Sequence, residues 1–339
     1  MATHNDQCRI ADGRRASLHP DIECRLKIAI SFVVFVAFGC EYPANNGQYP
    51  RHIMPLSPSN PDAVAVKVRP ARSSLYRWYD SIWLEKYTLA KAIIKRVKPE
   101  ALGVFEDAFS VFHTRPDFKV KLLEQVLDDE ALGKLRHVVK SLKPTDFELH
   151  EVHRFKRFVV HDHPLVSELQ AALVSLVSDE VGEAVESSYN FLSLYSGMGV
   201  CPLHMDSPEA KWTLDLCLNQ SEAWPIYFSQ VQRWPEIDPD VASPEWAEGD
   251  WEEAIKQSAA MNFSSHTMNP GQALLFSGSS QWHYRNAMPS GNVNSFCDLL
   301  FFHFIPRGTR SLLRPENWAQ VFNIPELATA ASVDASATP

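Results

Sequence analysis

The stretch YNFLSLYSGMGVCPLHMD, residues 189–206, decides how the chain is interpreted. It starts with apolar and aromatic residues typical of a strand, passes through a glycine-containing turn and ends at His204-Met205-Asp206. Side chains at positions i and i+2 of a strand point to the same side, so His204 and Asp206 can reach one metal ion. The stretch therefore predicts a β-rich region that carries a pair of metal ligands.

A third ligand candidate lies about eighty residues further on, in NPGQALLFSGSSQWHYR, residues 269–285. His283 follows a Pro-Gly turn and an apolar strand there. Two imidazoles and one carboxylate occupy one face of an octahedron and leave three adjacent positions open. That geometry suits iron(II), because a co-substrate can chelate at two positions while oxygen takes the third. Zinc bound by two histidines and one aspartate stays open as an alternative.

The flanking sequence predicts a helical half followed by a strand-rich half. A helix is expected from Pro164 to about Glu186, with proline in its first turn and Asp162 as a possible cap. Strands are expected at residues 188–195, 212–218, 225–229, 272–276 and 296–305, which turn signals separate. Many short strands after a helical half predict a β-sandwich or barrel buttressed by helices.

Residues 189–206, 269–285 and 297–306 (CDLLFFHFIP) together resemble the iron(II)/2-oxoglutarate-dependent dioxygenase superfamily. The resemblance implies an α+β protein with a double-stranded β-helix (jelly-roll) core buttressed by N-terminal helices. It implies that His204 and Asp206 are the HxD ligands of Fe(II), that His283 is the distal ligand, and that 2-oxoglutarate and O2 are co-substrates. Related halogenases replace the ligand aspartate with a small residue, so Asp206 favours hydroxylation of a C–H bond.

The anchor for the distal carboxylate of 2-oxoglutarate departs from the family pattern. The family often places a cation about ten residues after the distal histidine, but residues 291–295 contain none. Arg285 is the best substitute, because it faces the same way as His283 on a strand and can grip a carboxylate with two hydrogen bonds. Tyr195 is a second co-substrate candidate. A rim salt bridge and a core tyrosine are the alternatives for these two residues, and Lys211 and Arg307 are weaker anchors.

The chain is predicted to contain a single catalytic domain. Residues 1–75 are expected to form a poorly structured extension and linker, and residues 321–339 a tail. The domain, residues 76–320, is divided into a helical part, 76–186, and a β-helix core, 187–306, with an insertion at 222–266. Nine acidic residues and four tryptophans lie in residues 222–257, which predicts either a lid or a cover for a sheet edge.

Composition narrows the partners and the compartment. A net charge of −9 and a pI near 5.8 argue against nucleic acid. The six cysteines form no CxxC pair, which favours reduced thiols and a cytoplasmic location. The apolar run at residues 28–40 is too short to span a bilayer, so no firm membrane association is predicted. Anchoring or export through residues 25–40 is the alternative.

Three further interpretations stay open. The histidine-rich group His150, His153, His161 and His163 is a second possible metal site, and His303 is either a core residue or a group near the co-substrate. The substrate is expected to be a small molecule or a peptide. A cupin-like zinc hydrolase or isomerase, and a non-catalytic β-helix binding domain, are the alternative functions.

Overall fold

The computed structural model describes Tyr79, residues 81–234 and residues 250–332, which belong to one compact unit. The expected N-terminal extension, the apolar run at 28–40 and the middle of the insertion lie outside the described residues, as do residues 333–339.

The described residues form seven α-helices and ten β-strands. The helices are α1 (Trp83–Val97), α2 (Leu102–Phe109), α3 (Asp129–Ser141), α4 (Pro164–Val181), α5 (Trp251–Gln257), α6 (Trp318–Val321) and α7 (Leu327–Ala331). The strands are β1 (Lys121–Leu123), β2 (Arg157–His161), β3 (Val185–Ser196), β4 (Cys201–His204), β5 (Trp212–Gln220), β6 (Ile226–Phe228), β7 (Ser264–His266), β8 (Ala273–Phe276), β9 (His283–Arg285) and β10 (Phe296–Pro306). No helix among them is both long and apolar enough to cross a membrane.

The strands form two antiparallel sheets. The larger sheet has the order β1-β8-β5-β10-β3-β2 and the smaller has the order β4-β9-β6-β7. All five strands that the sequence predicts are present, as β3, β5, β6, β8 and β10. The fold is therefore a mixture of helices and antiparallel sheet, in agreement with the α+β prediction.

Two expected boundaries are wrong. Helix α4 ends at Val181 and not near Glu186, because Gly182 follows it in the left-handed conformation with φ of 74° and strand β3 begins at Val185. Asp162 is not the cap, since it has φ of 50° and His163 takes the N-cap position without a side-chain cap bond.

The part of the chain expected to be helical, residues 76–186, also supplies strands β1 and β2 to the larger sheet. These strands have three and five residues, and β2 begins and ends with Arg157 and His161. Segments this short carry too few alternations to show the period of a strand. The segment expected to be an insertion, 222–266, contributes β6 and β7 to the smaller sheet.

A helical aromatic core packs behind the smaller sheet. In it the ring centroids of Trp83 and Tyr87 lie 5.4 Å apart, as do those of Phe109 and Trp318. The same buried cluster contains four residues of the ligand segments: Leu203, Met205, Trp282 and Tyr284. Because these residues alternate with the predicted ligands, the helical aromatic core fixes which side of each segment the ligands occupy.

Candidate metal centre

The structure brings the three predicted ligands together. Strand β4 pairs with β9 so that His204 lies opposite His283. Oδ1 of Asp206 is 3.5 Å from Nε2 of His204 and 3.8 Å from Nε2 of His283. Within the part of the chain that the structure describes, these residues are the one group of three or more whose ligand atoms could hold a metal ion.

Backbone carbonyl groups orient both imidazoles. Nδ1 of His204 donates to the carbonyl oxygen of Pro202 at 2.8 Å, and Nδ1 of His283 donates to that of Gln281 at 2.9 Å. A carbonyl oxygen only accepts, so the proton of each neutral ring lies on Nδ1. In the neutral form of each ring, Nε2 therefore presents its lone pair on the side of Asp206, which is the tautomer that a metal ligand needs.

Neighbouring charges set the protonation of the three groups. Burial opposes ionisation of Asp206, but His283 and His204 outweigh it and hold the carboxyl pKa below its usual range. Burial, reinforced by His204, lowers the pKa of His283 to about 4. Burial also opposes protonation of His204, but Cys201 and Asp206 outweigh it and raise the His204 pKa. A metal ion would therefore displace a proton from His204 on binding.

Gly278 allows the Asp206 carboxylate to occupy its place. The backbone NH of Asp206 donates to the carbonyl oxygen of Gly278 at 2.9 Å. A Cβ at position 278 would collide with Oδ2 of Asp206 and lie 2.6 Å from the carbonyl oxygen of Ala210 and 2.8 Å from Oγ1 of Thr213. The Ala210 backbone and the buried strand that carries Thr213 cannot move aside without a large cost in free energy. Only glycine therefore fits at position 278.

We expect Gly278→Ala to lower the metal affinity and to reduce the free energy of unfolding by about 1–3 kcal/mol, the usual cost of overpacking. Titration calorimetry with Mn(II) and denaturant unfolding measure the two effects. Gly133→Ala is the matched control, because nothing lies within 4 Å of a Cβ at that helix position. It should leave metal binding intact, and equal metal affinity in both variants would contradict the packing argument.

A cavity of about 470 Å3 opens beside the three ligands. Arg285 and Tyr195, the predicted co-substrate residues, both line it. Both residues contact Trp224: the Tyr195 ring centroid lies 4.8 Å from that of Trp224, and the Arg285 guanidinium lies 5.0 Å from the same ring. Lys211 and Arg307 are not among the residues that line the cavity. Nζ of Lys211 instead donates to Glu183 at 2.6 Å.

Arg285 is buried against a carboxylate that sequence reasoning did not identify. Its Nη2 donates to Oδ2 of Asp215 at 3.1 Å, and its Nη1 donates to the carbonyl oxygen of Trp224. Asp215 is fully buried. Burial raises the pKa of Asp215 to about 6 even though Arg285 favours the ionised form. The pairing is thus internal and is not the rim salt bridge considered for Arg285.

Arg157 is a second buried cation in the same cavity, and sequence reasoning missed it. Its Nε donates to Oε2 of Glu151 at 2.6 Å, and its Nη1 donates to the Tyr195 hydroxyl oxygen at 3.0 Å. Because that oxygen already accepts from Arg157, the Tyr195 proton points elsewhere. Arg157 could have been identified only if strand β2 had been predicted, and the sequence did not indicate that strand.

The alternative histidine-rich group does not assemble. His150 and His161 line the cavity with ring centroids 6.4 Å apart, whereas His153 and His163 do not line it. Nδ1 of His161 hydrogen bonds to Glu148 at 3.0 Å. Among the described residues the four histidines form no group with converging ligand atoms, so this alternative metal site is not supported.

His303 is a buried residue of strand β10 that also lines the cavity. Its Nδ1 hydrogen bonds with Oγ1 of Thr213 at 3.0 Å, and its Nε2 has no hydrogen-bond partner among the described residues. Burial lowers the His303 pKa from 6.5 to about 3. The imidazole is therefore neutral at pH 7.

The His303 pKa predicts a pH dependence of stability. In the unfolded chain the ring takes up a proton near pH 6.5, and in the folded protein it does so only near pH 3. Its stabilising contribution is therefore present above pH 6.5 and is lost as the pH falls toward 3. Between pH 6 and pH 4 the wild type should lose unfolding free energy more steeply than His303→Phe, by about 1 kcal/mol per pH unit. Urea titrations across this range measure it, and equal slopes would contradict it.

Among known proteins, similarity to this chain was found for solved structures. No protein-family model matches the sequence, and no curated protein matches it. HygX from Streptomyces hygroscopicus, with nickel and 2-oxoglutarate bound, is 12% identical with a TM-score of 0.38, and covers 62% of this chain and 88% of its own. A Pseudomonas putida prolyl-4-hydroxylase is 12% identical with a TM-score of 0.39, covering 59% of this chain and 100% of its own.

EctD from S. alaskensis, with 2-oxoglutarate and 5-hydroxyectoine, is 13% identical with a TM-score of 0.42, covering 59% of this chain and 75% of its own. Two of these three structures, those of HygX and EctD, hold 2-oxoglutarate. Because all these TM-scores lie below 0.5, the assignment of a function rests on the geometry of the site.

Proposed function

We propose that this chain is an iron(II)- and 2-oxoglutarate-dependent oxygenase that hydroxylates a C–H bond of a small molecule. The observation that carries the proposal is the convergence of two oriented Nε2 atoms and one carboxylate, within 4.8 Å of one another, at the wall of a cavity. This donor set fits iron(II) and leaves one face of its coordination sphere for ligands from the cavity.

The strand order supports a double-stranded β-helix. From β3 to β10 the chain passes back and forth between the two sheets, except that β6 and β7 follow each other as an antiparallel pair in the smaller one. A jelly roll has this alternation, which places strand ends from both sheets around one opening. In such an arrangement the neighbouring strands β4 and β9 of the smaller sheet, which supply His204 and His283, would lie beside that opening.

Arg285 and Tyr195 are suited to bind the distal carboxylate of 2-oxoglutarate. A guanidinium has five N–H donors, and Arg285 uses two of them toward the described residues, for Asp215 and Trp224. The Tyr195 hydroxyl, fixed by Arg157, can donate its proton to the same carboxylate. Burial raises the Tyr195 pKa, so the hydroxyl stays protonated and remains a donor.

When bound, iron(II) and 2-oxoglutarate supply the oxidation: O2 and the co-substrate give succinate and carbon dioxide, and one oxygen atom enters the substrate. The chain's own residues perform the binding and the positioning. Asp206 stays ionised, and the carbonyls of Pro202 and Gln281 hold both imidazoles in place. The buried walls of the cavity exclude water from the reacting groups.

Succinate formation tests the proposal. Protein loaded anaerobically with iron(II) and then exposed to O2 with 2-oxoglutarate should form succinate, and His204→Ala should not. The iron(II)–2-oxoglutarate complex should also give a visible absorption band before O2 is added. A protein that binds zinc tightly but gives neither the band nor succinate would refute the oxygenase and favour a cupin-like hydrolase or isomerase. A protein that binds no metal would favour a non-catalytic domain.

A further inference from the structure

One wall of the cavity is built from four roughly parallel rings on the two longest strands. Tyr189 and Phe191 come from β3, and Phe301 and His303 come from the neighbouring β10. We call these four residues the aromatic ladder. They line the same cavity as the metal centre but have no role in holding the metal or the co-substrate in the proposed function.

The ladder has a regular geometry. Across the strands, the Tyr189 and His303 ring centroids lie 4.2 Å apart at 26°, and those of Phe191 and Phe301 lie 4.9 Å apart at 24°. Along each strand the planes are more nearly parallel still: 13° for Tyr189 and Phe191, and 4° for Phe301 and His303. The cross-strand pairs are stacked, and side chains stand roughly perpendicular to a sheet, so ring edges rather than ring faces should point away from the sheet into the cavity. Ring edges carry partial positive charge and attract the face of another π-system.

Hydrogen bonds beneath the ladder hold it in register. The pairing of β3 with β10 is irregular between Phe302 and Phe304, next to His303. Gln170 of helix α4 donates to the carbonyl oxygens of Tyr189, at 2.9 Å, and His303, at 2.7 Å. One buried side chain thus ties together the two strands at the point where they carry a ring pair.

The polar groups of the wall favour a neutral ligand. The Arg157 guanidinium, 5.2 Å from the Phe191 ring, is already paired with Glu151, and His161, 5.1 Å from the same ring, is paired with Glu148. A charged ligand group would have to compete with those pairs. Nε2 of His303, in contrast, is buried and has no partner among the described residues. An unpaired buried polar atom costs free energy, which a ligand's hydrogen bond would recover.

We propose that the aromatic ladder is the substrate-binding wall of the cavity, and that it takes a small molecule with a planar unsaturated ring bearing a neutral polar group that hydrogen bonds to Nε2 of His303. The face of the ligand ring lies against the ring edges of the aromatic ladder, and the polar group of the ligand fixes its orientation. This inference rests on the proposed function, because that function makes the cavity a substrate site.

Binding of three small probes tests the ring and the polar group separately. Benzamide has both features, cyclohexanecarboxamide lacks the planar ring, and benzylamine carries a charge in place of the neutral group. Saturation-transfer NMR titrations should show benzamide as the tightest binder. Tighter binding of either of the other two probes would overturn the proposal.

Three variants locate the binding. His303→Phe keeps an aromatic ring but removes Nε2. It should lower the affinity for benzamide about 3- to 10-fold, which is the contribution of one hydrogen bond. Phe301→Leu should lower the affinity for benzamide more than the affinity for cyclohexanecarboxamide. Tyr227→Leu is the matched control, since Tyr227 stacks on Tyr284 at 4.8 Å and does not line the cavity. Equal benzamide affinity in all three variants would refute the ladder as the binding wall, and Phe301→Leu stays decisive if His303→Phe does not fold.

Paramagnetic Mn(II) separates failure of this inference from failure of the proposed function. Mn(II) at the three ligands should broaden the benzamide ring signals in the wild type, and Asp206→Asn should remove the broadening while saturation transfer remains. Saturation transfer without any Mn(II) broadening in the wild type would count against the metal centre and leave the ladder standing. Mn(II) binding without benzamide contact to the ladder would overturn this inference alone.

Discussion

Asp206→Asn is expected to weaken iron(II) binding by more than about 100-fold and to abolish succinate formation. The carboxylate is the one anionic ligand of the candidate centre, and loss of even an outer partner of a metal ligand costs about 10–100-fold. An amide keeps the shape beside Gly278 but donates hydrogen bonds where a ligand must accept. Metal content after dialysis and calorimetric titration with Mn(II) measure the loss.

Glu209→Gln is the matched control for that experiment. Glu209 lines the same cavity but does not belong to the group of converging ligand atoms. Burial raises its pKa, whereas the pKa of Asp206 is lowered. The control should retain the metal. If Asp206→Asn also retained full iron affinity, the three residues would not be the metal centre.

Arg285→Met is expected to destabilise the protein by about 3–5 kcal/mol, because it leaves the buried Asp215 without its counter-charge. Arg285→Met should also lower the affinity for 2-oxoglutarate by about 30-fold or more, which is the effect of truncating one partner of a buried charge pair. The destabilisation should grow as the pH rises through 6. Arg285 limits the rise of the Asp215 pKa to about 6, so in the wild type the carboxyl ionises near that pH beside its counter-charge. Without Arg285 the Asp215 pKa rises further, and keeping the carboxyl protonated in the folded variant costs more free energy with each pH unit.

A double variant separates the two effects. Asp215→Asn added to Arg285→Met removes the orphaned charge, so most of the stability should return. The 2-oxoglutarate affinity should not return, because the guanidinium is still missing. Thermal unfolding and the absorption band of the iron(II) complex measure the two properties. If the double variant recovered both, Arg285 would be only the partner of Asp215.

The metal ligands were predictable because their signal is local. His204 and Asp206 are two residues apart, and the distal His283 follows an apolar strand in the expected chain order. His204 ends β4 and His283 begins β9, two strands of only four and three residues that are not among the five predicted strands, and Asp206 lies just beyond β4. Glycine turns around residue 197 and at residue 278 marked their positions better than any periodicity did.

The surroundings of the co-substrate residues were not predictable in the same way. Arg157 reaches Tyr195 only because β2 pairs with β3, with Arg157 opposite Tyr195. In the sequence, Asp215 occupies a polar position of a strand expected to have one exposed face. In the structure, the larger sheet buries it completely against Arg285. Such contacts depend on the packing of segments far apart in the chain, and one sequence contains no direct record of them.

The helical aromatic core has a consequence for how the protein handles metal. Leu203, Met205, Trp282 and Tyr284 pack into that core while their neighbours hold the ligands, so loosening of the helices and release of the ion are thermodynamically linked. Ion occupancy should then slow amide hydrogen exchange in α2, a helix that supplies no ligand. Conversely, a cavity made at Phe109 should lower the affinity for the ion. The metal affinity would in this way depend on the packing of helices that supply no metal ligand.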